Sequence, residues 1–276
     1  MLLQNQYPLT HHPCFSNQRQ DLWARIHLPV AKRCNVKCIF CDHQSGASCH
    51  TSRPGYSARL MSANEAIHRT LEERNKNSNL KIIAISGPGE PLYNEETFET
   101  LEMIQSLDID CKLCLSTNGV LLNEKTGKLV NLGVESISVS MSGINPEVVA
   151  RIYEWAIIDG AIMRDLRMAK QIYSRQLKGI QHASRNGLIV KVNTILIPGL
   201  NTGDIQPLAK QISSAGAVLQ NIVPLVPYCT SEELRPPTPN ELKTARIIGS
   251  EFISQFHHCR QCRSDVVGIP GNDRII

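Results

Sequence analysis

No run of about 18 uncharged apolar residues occurs in this sequence, which argues against a helical membrane span. Residues 1–13, MLLQNQYPLTHHP, lack a basic stretch followed by an apolar one, so no secretory signal is expected and a cytoplasmic location is. Aromatic residues are few, 5%, and the net charge is only +4, so neither a stacking surface nor a basic stripe points to nucleic acid. Hydrophobic content of 42% and charge of 20% are ordinary for a globular protein. The 276 residues suffice for one large α/β domain or two small ones. Cysteine is the exception to this plainness. Ten cysteines without a secretory signal argue for metal binding or redox chemistry rather than disulfides.

Three of them, Cys34, Cys38 and Cys41, fall within CNVKCIFC. Three thiolates hold three irons of a 4Fe–4S cube, whereas a closed cluster normally takes four. The fourth iron is then free for a substrate. A zinc knuckle or three buried cysteines are the plainer alternatives. The tail carries a second pair, Cys259 and Cys262 in HHCRQCRSD. It suits a further cluster, with a redox dithiol or half a zinc site as alternatives.

Between these cysteines the chain alternates. Short apolar runs at 22–30, 81–86, 111–117, 136–141, 188–197 and 221–226 read as strands rich in β-branched residues. Helical stretches separate them. Ser62 and Glu65 form a capping box, Asn94 to Leu107 shows an apolar stripe, and Asn145-Pro146 opens a helix. Further helices run from about Arg167 to Arg185 and over about 239–256. Alternating units imply a parallel sheet with right-handed crossovers, whose chemistry gathers at the C-terminal ends of the strands.

Polar signals do collect there. SGPGEPL, 86–92, offers Gly87 and Gly89 for close backbone approach to a ligand and Glu90 as an acceptor for an ammonium group. In CLSTNG, 114–119, strand parity puts Cys114, Ser116 and Asn118 on one face, and Cys111, Leu113 and Leu115 on the other. Ser140 and Ser142 in SVSMS, and Asn193 with Ile195 in KVNTI, add polar contacts and an apolar wall. His27 ends the first strand, just before the cysteine loop. Cys14 has a small buried hydrophobe as its plain reading.

The triplet, with Phe40 before Cys41, resembles the signature of the radical S-adenosylmethionine (SAM) enzymes. That resemblance implies a partial (β/α)6 TIM-type barrel, a 4Fe–4S cluster on Cys34, Cys38 and Cys41, and SAM chelated by the open iron. It further implies SAM contacts at Gly89, Glu90, Asn118, Ser140, Ser142, Asn193 and Ile195. SGPGEPL departs from the family's Gly-Gly-Glu-Pro by placing Pro88 between the glycines. Across the chain, HPCFS, RIHLPVAKRCNVKCIFCD, SRPG, SGPGEPL, CLSTNG, ARIYEW, KVNTILIPG and CRQCRSDVVG together resemble the NifB family of nitrogenase cofactor maturases.

This closer resemblance implies one domain over 1–276, with a core at about 22–226 and cluster-binding extensions at 1–21 and 227–276. It implies three 4Fe–4S clusters. Cys14, His27 and Cys114 would bind one donor cluster, and Cys49, Cys259 and Cys262 the other. The two would fuse around a SAM-derived carbide into an 8Fe–9S–C core. Cys111 and Cys229 are left as structural. The end of the chain 14 residues after Cys262 implies a stand-alone form. Its partners would be iron–sulfur cluster donors, a ferredoxin or flavodoxin, the carrier NifX and the scaffold NifEN. Two rivals stay open: a radical SAM enzyme with one auxiliary cluster acting on a peptide or RNA, and a non-enzymatic metal protein.

Overall fold

The computed structural model describes residues 7–41, 55–227 and 234–276. Cys49 and Cys229 lie outside the described residues.

In chain order the elements are β1 (Ala24–His27), β2 (Val36–Cys38), α1 (Ala63–Lys76), β3 (Leu80–Ile85), α2 (Glu95–Ser106), β4 (Lys112–Thr117), α3 (Leu122–Asn131) and β5 (Val134–Ser140). They continue as α4 (Pro146–Ile152), β6 (Tyr153–Ile158), β7 (Ala161–Met163), α5 (Asp165–Arg185), β8 (Ile189–Leu196), α6 (Ile205–Ser214), β9 (Leu219–Pro224), α7 (Pro239–Ser250), β10 (Val266–Ile269) and β11 (Asn272–Ile275). Among the described residues, no helix is long and apolar enough to cross a membrane.

The main sheet runs β11-β10-β1-β3-β4-β5-β8-β9. All pairs from β1 through β9 are parallel, which makes the six strands expected of a partial barrel. The strands differ from their sequence limits mostly by a residue or two. The first is the exception: it is only four residues long, ending at His27, with Leu28 N–H making a last bond to the Ala84 carbonyl at 2.9 Å. The tail is not simply a cluster loop, since β10 and β11 form a hairpin that adds antiparallel to β1. A second sheet, β2-β6-β7, is antiparallel and incorporates the cysteine loop through Val36 to Cys38. It was not legible as a sheet, because β2 has three residues and pairs with a strand more than a hundred positions away.

The period of two sorts the side chains. Ile83, Ile85, Leu113, Leu115, Ile137, Val139, Val190 and Val192 face the helices and join one large core with Phe98, Leu101, Leu129 and Ile180. The other face carries Ala84, Cys114, Ser116, Ser138, Ser140, Lys191, Asn193 and Asn221. Ala84 sits beside Cys114, Ser116 beside Ser138 beside Lys191, and Ser140 beside Asn193 beside Asn221. Bulky branched residues normally fill the interior of such barrels. Here small and polar ones leave it open. Deeper down, Phe15, Ile82, Leu219 and Phe256 close the interior.

Candidate functional site

The open interior is a cavity of about 300 Å³. His12, Cys14, His27, Cys114, Cys259 and Cys262 line it together with the serine and asparagine rows of β4, β5, β8 and β9. Five of the expected ligand residues therefore share one space although they span nearly 250 positions of the chain. None of the eight described cysteines forms a disulfide. Among the described residues, no group of three Cys, His, Asp or Glu side chains is arranged to hold a single metal ion. A cube takes one ligand on each of three irons, so its thiols stand farther apart than those of one ion.

His27 is built as a ligand would be. Its Nδ1 lies 2.8 Å from the Arg263 carbonyl, which accepts only, so Nδ1 carries the proton and Nε2 keeps its lone pair. Metal-binding histidines are commonly oriented by such a bond. Burial, reinforced by Arg25, pushes the ring down to about 3, so it is neutral at physiological pH. Burial raises Cys114 to about 11, and neighbouring Cys14 adds to the rise. Cys262 is likewise driven up to about 11 by burial, with Cys14 and Cys259 adding to it. Such crowded neutral thiols lose their protons to a metal.

Backbone bonds hold the tail cysteines. The Gly55 N–H donates to the Cys262 carbonyl at 2.9 Å, and Ser264 N–H donates to the Tyr56 carbonyl at 2.8 Å. A buried Arg263–Asp265 pair at 2.6 Å locks the turn, and Asp265 also accepts from Ala58 N–H. Cys111 stays off the cavity and packs beside the helix core, its sulfur 2.7 Å from an Arg74 guanidinium nitrogen.

The cysteine triplet lies against the second sheet, with Cys34 and Cys38 packed among Val36, Val149, Ile152 and Tyr153. Burial takes Cys34 up to about 12 and Cys38 well above the usual thiol range, and each is raised further by the neighbouring thiols. Three soft sulfur donors crowded in one loop fit an iron–sulfur cluster.

The Gly-Pro-Gly-Glu loop grips the start of this cysteine loop. Gly89 N–H donates to Ala31 carbonyl at 2.7 Å and Glu90 N–H to Arg33 carbonyl at 2.9 Å. The Asn94 side chain adds both a donor and an acceptor to the Arg33 backbone. The close approach that Gly89 permits is thus of the chain to itself: a Cβ there would strike the backbone of Lys32 and Arg33. Gly87, at φ +138°, needs glycine for its conformation.

Glu90 is buried, and its carboxylate already accepts from Leu92 N–H at 3.1 Å, Asn118 N–H at 2.6 Å and the Thr117 hydroxyl. Burial nonetheless raises this carboxyl from 4.5 to about 7. A folded value above the unfolded one means that the native state binds the extra proton in that window, so stability falls as pH rises from about 4.5 to about 7. For the metal-free protein this amounts to about 3 kcal/mol. Urea titrations of wild type and Glu90→Gln at pH 5 and 7.5 should show the fall only in wild type. Equal slopes would show Glu90 to be ionised in the fold throughout.

Asn118 donates from Nδ2 to Asn35 Oδ1 at 2.7 Å. Ser142 is buried away from the cavity and accepts from Ile195 N–H at 3.0 Å. Ser140, Asn193 and Ile195 line the cavity. Asn221, a further lining residue, escaped the sequence reading although it donates to Asn193 Oδ1 at 2.9 Å. So did His12. Nothing in a lone Asn within NIVPLV distinguishes a cavity residue from a local hydrogen-bond partner.

The profile of the Radical SAM superfamily matches residues 28–212. The "FeMo cofactor biosynthesis protein NifB" of Methanocaldococcus infernus is 39% identical over 95% of this chain and 86% of its own length. The chain belongs to the NifB family. The protein of the same name from Methanocaldococcus jannaschii is 38% identical over 96% of this chain and 88% of its own length. That from Klebsiella pneumoniae is 35% identical, with 95% of this chain aligned to 58% of a longer protein. Among solved structures, a radical SAM methyltransferase from Sphaerobacter thermophilus shares the fold, with TM-score 0.59 and 16% identity over 85% of this chain and 64% of its own. This member of the NifB family is therefore a radical SAM enzyme of nitrogenase FeMo cofactor biosynthesis, and the family implies a 4Fe–4S cluster and SAM.

Proposed function

We propose that this NifB-family chain fuses two 4Fe–4S clusters, with a carbide derived from SAM, into the 8Fe–9S–C precursor of the nitrogenase cofactor. The observation that carries the proposal is the shared cavity of Cys14, His27, Cys114, Cys259 and Cys262, whose lining residue Ile195 packs against the same cluster as Cys34 and Cys38. Substrate clusters that must be remodelled and released need incomplete ligation, and three protein ligands each would leave one iron open. Cys14, His27 and Cys114 would hold one. Cys259, Cys262 and Cys49 would hold the other; Cys49 precedes by six residues the Gly55 that bonds to Cys262.

When bound by Cys34, Cys38 and Cys41, the resident cluster supplies the electron that cleaves SAM to a 5′-deoxyadenosyl radical. The chain does the rest by positioning. Ser140, Asn193 and Ile195 would contact SAM on the inner face, and Asn118 would contact it beside Cys34, with Gly89, Glu90 and Ser142 fixing the loops behind them. His27, held by Arg263, presents a neutral nitrogen to its cluster. The apolar floor of Phe15 and Phe256 excludes water. One SAM would give its methyl to a sulfide of a substrate cluster, and a second would supply the radical that removes hydrogen from it. Cluster donors, a ferredoxin or flavodoxin, and the acceptors NifX and NifEN complete the proposed circuit.

Anaerobic reconstitution tests this. Roughly twelve irons per chain are expected, as three cubes of four. Cys259→Ala with Cys262→Ala should remove about four irons and leave reductive SAM cleavage, while product transfer to cofactor-deficient nitrogenase is lost. A fully loaded chain with only about eight irons would instead support a single auxiliary cluster.

A further inference from the structure

We propose that His12 donates a hydrogen bond from Nε2–H to a sulfide of the cluster held by Cys14, His27 and Cys114, and so acts as a positioning residue for that substrate. The inference rests on the cluster assignment proposed above.

His12 is only 1% exposed, yet it lines the cavity next to Cys14. Its Nδ1 accepts from the Cys14 N–H at 3.1 Å, so the ring proton sits on Nε2. Among the described residues, that buried Nε2–H has no acceptor. Leaving a buried donor unmet is costly, and native structures rarely do so without reason. The ring is not free to turn away. It packs on Phe15 with centroids 4.9 Å apart and on Tyr7 at 5.9 Å, and the His12 carbonyl accepts from both Phe15 and Ser16 N–H.

The missing partner must be an electron-rich acceptor. Lys191 Nζ donates to the Cys14 carbonyl at 2.7 Å and lies 4.6 Å over the Phe15 ring, so a cation already faces the same corner. Thiolate-bound sulfides match both the unmet donor and this cation. The arrangement also couples the two ends of one motif: the residue that fixes the Cys14 backbone would touch the cluster that Cys14 ligates.

Two substitutions separate this role from packing. His12→Asn keeps an acceptor for the Cys14 N–H but carries no donor at the Nε2 position. His12→Gln can restore the donor. Hydrogen bonds to cluster sulfur help set reduction potential, and their loss lowers it. Redox titration followed by EPR should show the potential of this cluster shifted down in H12N and returned toward wild type in H12Q. In wild type, proton ENDOR after exchange into D2O should reveal an exchangeable proton coupled to the cluster. An unchanged potential in H12N, or no such proton in wild type, overturns the proposal, and the second result needs no variant to fold. Cys114→Ala serves as the reference. If it loses no iron, the cluster assignment itself is wrong; if it loses about four irons while H12N behaves as wild type, only the role of His12 falls.

Discussion

Arg25→Met should destabilise the metal-free protein by about 3–5 kcal/mol and strip the irons proposed for the tail cysteines. Arg25 is fully buried on β1, a strand that β10 joins from the far end of the sequence. One of its guanidinium nitrogens donates to the Gly268 carbonyl at 2.5 Å, and the other pairs with Asp273 at 2.6 Å. Both partners belong to the terminal hairpin. Removing Arg25 leaves the partly buried Asp273 carboxylate and the Gly268 carbonyl without their donor, so the loss exceeds what the pair itself contributes. The consequence reaches the site because His27 lies two residues on, bonded to Arg263, and Cys262 precedes that residue. Urea titration gives the energy, and iron analysis gives the loss. Arg25→Lys should be intermediate, since a single ammonium cannot serve two acceptors in a fork. A loss below about 1 kcal/mol with full iron would mean that the hairpin docks through its backbone ladder alone.

The part of this architecture that could be read in advance was the part governed by local period. Alternation placed Cys114 and Ser116 on the cavity face and Leu113 and Leu115 on the helix face, as the register shows. Asn145 and Pro146 open α4 by a local rule, with the Asn145 side chain accepting from Glu147 N–H. What depends on distant pairing was not legible. The tail reads as a cysteine-bearing loop until β1 is present to receive β10. Gly89 reads as a ligand-facing glycine until residues 31–33 are seen to fill that space. Glu90 looks like a free acceptor for the same reason: Leu92 N–H is a local donor, but the other two, Thr117 and Asn118, come only once β4 lies alongside. In each case the residue type was informative and its partner was not, because the partner arrives through the sheet rather than through the sequence.

Gly89→Val should abolish SAM cleavage while sparing the irons proposed for the inner face of the barrel. Even an alanine Cβ would fall 2.8 Å from the Arg33 carbonyl carbon and 2.9 Å from that of Lys32, and closer still to the Arg33 oxygen. These are backbone atoms, which no rotamer change can relieve. Forcing atoms into a packed site costs about 1–3 kcal/mol, and valine adds two methyl groups to the same clash. Relief must come from moving segment 31–33 away, which stretches the bonds from Gly89 to Ala31 and from Glu90 to Arg33. Cys34 follows directly in the chain, so the displacement passes into the cysteine triplet. Cys14, His27 and Cys114 sit on other elements and keep their places. Iron analysis should therefore fall by about four atoms per chain, with 5′-deoxyadenosine formation lost. Gly89→Ala should show the same pattern more weakly. Wild-type iron and cleavage in Gly89→Val would mean that the loop seats the triplet without this contact, and would return Gly89 to the role of a residue that faces ligand.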